Sequence, residues 1–153
     1  MKPSTPSTNP SGPRNQAQAQ AQAGHPAVTR VLLVGHCGFD SGHLTHAVQS
    51  LGLGLSVYQA HRADDLDRYR QPDCLWLVNR ALDSGLGAPD GVSLIRAELM
   101  RDHPPRLLLI SNYPDAQRLA VEAGAWPGVG KSELRDPAAL ARLRAAVCAS
   151  PAK

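Results

Sequence analysis

Residues 30–52 read RVLLVGHCGFDSGHLTHAVQSLG, and the pattern changes partway along. Val31 to Val34 form an uninterrupted apolar run, as expected of a strand covered on both faces. Glycines at 35, 38 and 42 break that run. Beyond them Leu44, Ala47, Val48 and Leu51 recur at i, i+3, i+4 and i+7, which predicts a helix with one apolar stripe. Asp40 or Ser41 is the expected cap at its start, and Gly52 the expected stop. Strand, glycine-rich loop and helix in this order open a βαβ unit, so the fold depends on whether the unit repeats.

It repeats along the rest of the chain. LSVYQA (55–60) predicts a second strand, and RADDLDRYR (62–70) a short helix anchored by Leu66 and Tyr69. CLWLV (74–78) is a third, fully apolar strand with Trp76 in the core. A long loop then leads to Asp90-Gly91 and a helix burying Val92, Ile95 and Leu99, stopped by Pro104-Pro105. RLLLI (106–110) predicts the fourth strand, and Pro114 opens a helix carrying Leu119, Ala120 and Ala123 that closes at Gly124. WPGVG (126–130) reads as a weak fifth strand. DPAALARLRAAV (136–147) reads as a helix capped by Asp136 and burying Leu140, Leu143 and Val147. Strands and helices alternating in this way predict a parallel sheet with helices on both faces, whose working edge lies at the strands' C-terminal ends. Four loops should meet there: GHCGFDSG (35–42), NRALDSGLGAPDG (79–91), SNYPD (111–115) and GKSEL (130–134).

Composition limits the setting. The chain has 153 residues, which fits one domain, and no apolar run long enough to span a bilayer. Residues 1–27, rich in Pro, Ser, Gln and Ala and free of acids, predict a disordered tail ahead of a folded domain at 28–150. The tail holds Lys2 and Arg14, so of 16 basic residues 14 remain in the domain against 13 acids. That near balance, with few and scattered aromatics, argues against a nucleic-acid surface. Cys37, Cys74 and Cys148 show no paired spacing, and no secretory signal opens the chain, so reduced thiols in a cytoplasmic protein are expected.

The first loop admits several chemistries. His36, Cys37, Asp40, His43 and His46 are all ligand types that zinc accepts, but His43 and His46 flank the apolar stripe, where solvent-facing side chains are the simpler reading. Cys37 sits where a helix N-terminus lowers a thiol pKa, yet it has no partner motif for nucleophilic work. Gly35, Gly38 and Gly42 do not make the dinucleotide fingerprint, and no P-loop Lys-Ser/Thr follows them. Helix N-termini together with Lys131 leave a small anion as a further ligand at this edge.

With the loops in place, the sequence resembles the receiver domain of two-component response regulators over about residues 29–148. The matching segments are RVLLV, PDCLWLV, PDGVSLI, LLLIS ending in Ser111, and EAGAWPGVGKSEL. In the last of these, Gly124 and Ala125 precede Lys131 by the family's habitual seven and six residues. The resemblance implies a flavodoxin-like, doubly wound five-stranded sheet of order 2-1-3-4-5. It also implies a pocket in which paired acids after the first strand and a phospho-accepting Asp after the third hold Mg²⁺ through oxygen ligands.

The chain departs from that chemistry. The acid-pair positions hold Gly35 and His36, the acceptor position holds Asn79, or Val78 if the gap falls one residue earlier, and the switch aromatic is replaced by Gly128. Lys131 stands without an aligned acid, so the expected pocket repels Mg²⁺. Asp83 and Asp90, in a third loop about four residues longer than usual, are the acids left to salt-bridge Lys131 or to restore a metal site. The resulting expectation is a pseudo-receiver that is not an enzyme, needs no cofactor, and acts through protein contacts with a signalling kinase, a regulator or a second copy. Its degenerate pocket is Gly35, His36, Asn79, Ser111 and Lys131. Asn79 holds the loop, Ser111 caps a strand end, and the candidate interface is Trp126, Gly128, Val129 and the outer side of 137–147. With no output domain after Lys153, a stand-alone adaptor is expected. The alternatives are a phosphorylatable receiver using Asp83 or Asp90, and an anion- or zinc-binding module built on the His36/Cys37 loop.

Overall fold

A computed structural model describes residues 27–149; the expected tail lies outside the described residues except for Ala27, and Ser150 lies outside them too. The strands are β1 (Arg30–Val34), β2 (Ser56–Ala60), β3 (Cys74–Asn79), β4 (Arg106–Ile110) and β5 (Trp126–Val129). The helices are α1 (Gly38–Gln49), α2 (Ala63–Leu66), α3 (Gly91–Leu99), α4 (Pro114–Ala123) and α5 (Pro137–Cys148), with single 3₁₀ turns at Asp67–Tyr69, Ser84–Leu86 and Lys131–Glu133. The five strands pair in the order β2-β1-β3-β4-β5, all parallel, as the sequence predicts.

Alternating strand residues feed two cores. Val31, Leu33, Leu75, Leu77, Leu108 and Ile110 pack with α1 and α5. Leu32, Val34, Trp76, Val78, Leu107 and Leu109 pack with α2, α3 and α4. Both faces of the central strands are thus covered, which is why those strands read as unbroken apolar runs. Trp76 is fully buried and donates its indole N–H to the Tyr69 carbonyl at 2.9 Å. Leu99 and Leu140, expected in the core, are only half-buried at its margin. Beneath α3, the 2 % exposed Glu98 is ion-paired with Arg70 at 2.8 Å.

Helix starts differ from expectation at one point that matters for the site. α1 begins at Gly38, not after Asp40 or Ser41, and its N-cap is Cys37, whose Sγ lies 3.5 Å from the Asp40 N–H. The first turn of a helix makes no intrahelical N–H bonds, so glycine there costs little, and Asp40 becomes a first-turn acid. Asp90 caps α3, its carboxylate accepting the Ser93 N–H at 2.8 Å. Asp136 precedes α5 without a side-chain cap bond, and Pro137 opens that helix. β5 is short, contains Pro127, and slips register against β4 between Leu108 and Ile110, which an edge strand tolerates.

Candidate functional site: the crevice at the strand ends

Gly35, Asn79, Ser111 and Lys131 follow or end four neighbouring strands, and the parallel topology brings them to one edge. Asn79 is the last residue of β3 and is buried. Its amide nitrogen donates to the Gly35 carbonyl at 3.0 Å and to the Ala81 carbonyl at 2.9 Å. The side chain therefore bolts the third loop to the first, the role read from the sequence. Both amide hydrogens are used, and the group has no carboxylate character.

Gly35 adopts φ +76, a left-handed backbone that side-chain-bearing residues rarely take. A Cβ built there would stand 2.6 Å from Leu82 Cδ2 and 3.1 Å from Leu86 Cδ1. The long third loop has folded its two leucines over the place where an acid at 35 would project. Leu86 is buried in the core, and the loop is pinned by an Ala81–Asp90 bridge and by the Gly91 N–H on the Arg80 carbonyl at 2.7 Å. An i, i+4 pair of leucines inside an otherwise polar loop was the signal available in the sequence.

His36 is 1 % exposed. Its Nε2 lies 2.9 Å from the Leu77 carbonyl, and because a carbonyl only accepts, the proton must sit on Nε2. Nδ1 is buried without a partner. Burial pushes the imidazole pKa down to about 4, with Lys131 adding to the depression, so His36 is neutral at neutral pH.

Lys131 corrects the expectation of a bridge to Asp83 or Asp90. Its Nζ lies 2.8 Å from Asp40 Oδ2, and this contact holds the Asp40 carboxyl below its ordinary range. The early start of α1 makes the pairing: Asp40 stands in the first turn at the β1 end of the edge and reaches across to the loop after β5. Asp40 therefore offsets the Lys131 charge, which the aligned positions alone left unbalanced. Asp90 is occupied with capping, and Asp83 is exposed ahead of the Ser84–Leu86 turn. Ser111 ends β4 as a cap, its Oγ accepting the Tyr113 N–H at 3.0 Å. A cavity of about 280 Å³ remains between Asn79, Arg80, Ser111, Tyr113 and Lys131.

The zinc-type residues of the first loop do not converge. His36 faces Leu77, Asp40 faces Lys131, Cys37 and His46 are exposed, and His43 stacks 4.4 Å from Phe39. Among the described residues no group of three or more His, Cys, Asp or Glu is placed to hold a metal.

Next to the crevice, the Gln117 amide of α4 fills the space beside Gly128. Its Nε2 lies 3.0 Å from the Leu109 carbonyl, 3.0 Å from that of Ser111 and 3.2 Å from that of Val129. A Cβ at Gly128 would fall 2.2 Å from both the Leu109 oxygen and Gln117 Oε1. One glutamine thus ties α4 to β4 and β5. Sequence reasoning missed it, because a mid-helix Gln reads as solvent-facing by default. Val129 is fully buried and so does not offer the surface expected of the candidate interface, whereas Gly128 is half-buried beside this clasp. Trp126 is half-buried, with the Arg106 guanidinium 5.5 Å over its ring.

The architecture has close parallels among solved structures. The signal receiver domain of NarL from Mycobacterium tuberculosis matches with a TM-score of 0.59 at 19 % identity, covering 78 % of this chain and 96 % of that one. The fold is receiver-like. This receiver-like domain is also similar to the beryllofluoride-activated receiver domain of Klebsiella pneumoniae RstA, with a TM-score of 0.54, 22 % identity, and 75 % and 95 % of the two chains covered. A Burkholderia pseudomallei response regulator holding a phosphorylated aspartic acid, a calcium ion and citrate matches with a TM-score of 0.53 at 23 % identity, over 78 % of this chain and 66 % of that one. No family model matches the receiver-like domain, and no curated relative matches its sequence. Among the described residues no helix is long and apolar enough to cross a membrane.

Proposed function

We propose that this chain is a receiver-like signalling module that works without phosphorylation, by docking to a protein partner such as a kinase, a regulator or a second copy of itself. The observation that carries this reading is Asn79, whose amide is spent on the Gly35 and Ala81 carbonyls at the place where the resemblance puts the acceptor acid. A carboxamide forms no acyl phosphate. Three further features support it. Leu82 and Leu86 stand where an acid at position 35 would project. Asp40 neutralises Lys131, the cation that the resemblance places against a phosphoryl group. Gln117 and Gly128 hold the α4–β5 corner in one arrangement.

A module of this kind presents a fixed docking face, and the exposed side of α5 with Trp126 is the surface we assign to it. The described residues carry no chemistry of their own in this reading. Incubation with acetyl phosphate and Mg²⁺ is expected to leave the intact mass and the sedimentation behaviour unchanged. A stable mass gain of one phosphoryl group would refute the proposal.

A further inference from the structure

A second concavity adjoins the crevice. Between α3 and α4 runs a cleft of about 550 Å³ lined by Arg80, Val92, Arg96, Tyr113, Ala116 and Leu119. Small-molecule sites fall within about 300–1,000 Å³ and combine an apolar bed with a few polar groups. Here the bed is Val92, Ala116 and Leu119, and Tyr113, 59 % exposed, provides an aromatic wall. The Arg80 guanidinium lies 4.4 Å from the centre of the Tyr113 ring. That contact meets its charge but none of its N–H donors.

The charged groups of the cleft are unevenly committed. Asp90 accepts the Ser93 N–H, and Asp115 lies 4.0 Å from Arg118. Among the described residues neither Arg80 nor Arg96 has a carboxylate partner or a side-chain hydrogen bond. Two guanidiniums therefore offer donors with no acceptor, over a surface suited to hydrocarbon. Guanidinium planes and tyrosine rings both favour flat partners, and Arg reads carboxylate and phosphate oxygens in pairs. The two acids cancel the net charge of the two arginines, so no strong field gathers polyanions; recognition falls to direct contact with one localised charge.

We propose that this cleft binds a small organic anion, a flat ring bearing a single carboxylate or phosphate group, with the ring on the Val92–Leu119 bed and the anion on Arg80 and Arg96. The site shares Arg80 and Tyr113 with the crevice but uses neither Asn79 nor Lys131, so its test does not depend on the reading of those two residues.

Titration of the full chain with benzoate and, separately, with adenosine 5′-monophosphate, followed by NMR, tests it. Saturable shifts are expected at the Val92 and Leu119 methyls and at the Arg80 and Arg96 Nε–H signals, and the probe that produces them identifies carboxylate or phosphate as the preferred group. Arg96 is exposed and Arg80 makes no side-chain hydrogen bond, so the double variant Arg80→Ala, Arg96→Ala retains the fold. It should bind at least about tenfold more weakly, the scale of losing charge-assisted hydrogen bonds, whereas Arg118→Ala should bind like the parent. The proposal fails if neither probe moves those signals at millimolar concentration, or if the double variant binds as tightly as the parent.

Discussion

The crevice at the strand ends and the cleft between α3 and α4 share Arg80 and Tyr113, yet they treat polar groups in opposite ways. In the crevice the principal donors are committed internally: the Asn79 amide to two carbonyls, Lys131 to Asp40, and the His36 N–H to Leu77. In the cleft two guanidiniums are left without acceptors. Apart from the shared Arg80, the crevice satisfies its donors from its own backbone and from Asp40, so a ligand meeting those groups would have to break bonds already made. A neighbouring surface with unmet donors starts from no such cost. The contrast can be broken at defined points.

The largest expected effect comes from Gly128→Ala. The new Cβ meets a backbone oxygen as well as Gln117, so expelling the glutamine does not relieve it. Overpacking together with the lost amide bonds should cost roughly 4 kcal/mol, read from urea unfolding. A near-neutral result would mean that the clasp is not a fixed part of the corner.

Acid titration should have the next largest effect. His36 has a folded pKa of about 4, below its ordinary value of about 6.5, so as pH falls between those values the unfolded chain takes up a proton that the folded one refuses. Stability should fall by roughly 3 kcal/mol across that window from this group, and the slope should flatten in His36→Leu. Identical pH profiles for parent and variant would remove His36 as the cause.

Asn79→Asp exchanges a donor for a carboxylate facing the Gly35 and Ala81 carbonyl oxygens. A loss of roughly 2 kcal/mol is expected, and no acquisition of a phosphoryl group from acetyl phosphate, since Gly35 and His36 supply no carboxylate to hold Mg²⁺ beside the new Asp. A phosphorylatable variant would show that the crevice is one residue short of receiver chemistry. The smallest effect belongs to Lys131→Met. Its pair with Asp40 is 34 % and 22 % exposed, so thermal unfolding should change by less than about 1 kcal/mol.

Much of this architecture was legible in the residues. Unbroken runs such as CLWLV marked strands buried on both faces, and the i, i+3, i+4 stripes marked α1, α3 and α5. That Gly35, His36 and Asn79 carry no carboxylate was plain from the residues themselves. What could not be read was the pairing of Lys131 with Asp40. It depended on α1 starting at Gly38 with a cysteine cap, a boundary that the better capping residues Asp40 and Ser41 concealed. Gln117 was hidden for another reason: its partners lie on β4 and β5, at a distance in sequence that no local pattern encodes.

By itself the sequence determined the alternation of elements, the strand order through its family likeness, and the absence of an acceptor acid at Asn79, because apolar periodicity and side-chain chemistry are local properties. Which cation meets which acid, which leucines close the first loop, and which arginines are left unmet were decided only when the strand ends came together. Ion pairs and steric fit depend on distances of a few ångströms between segments that are far apart along the chain.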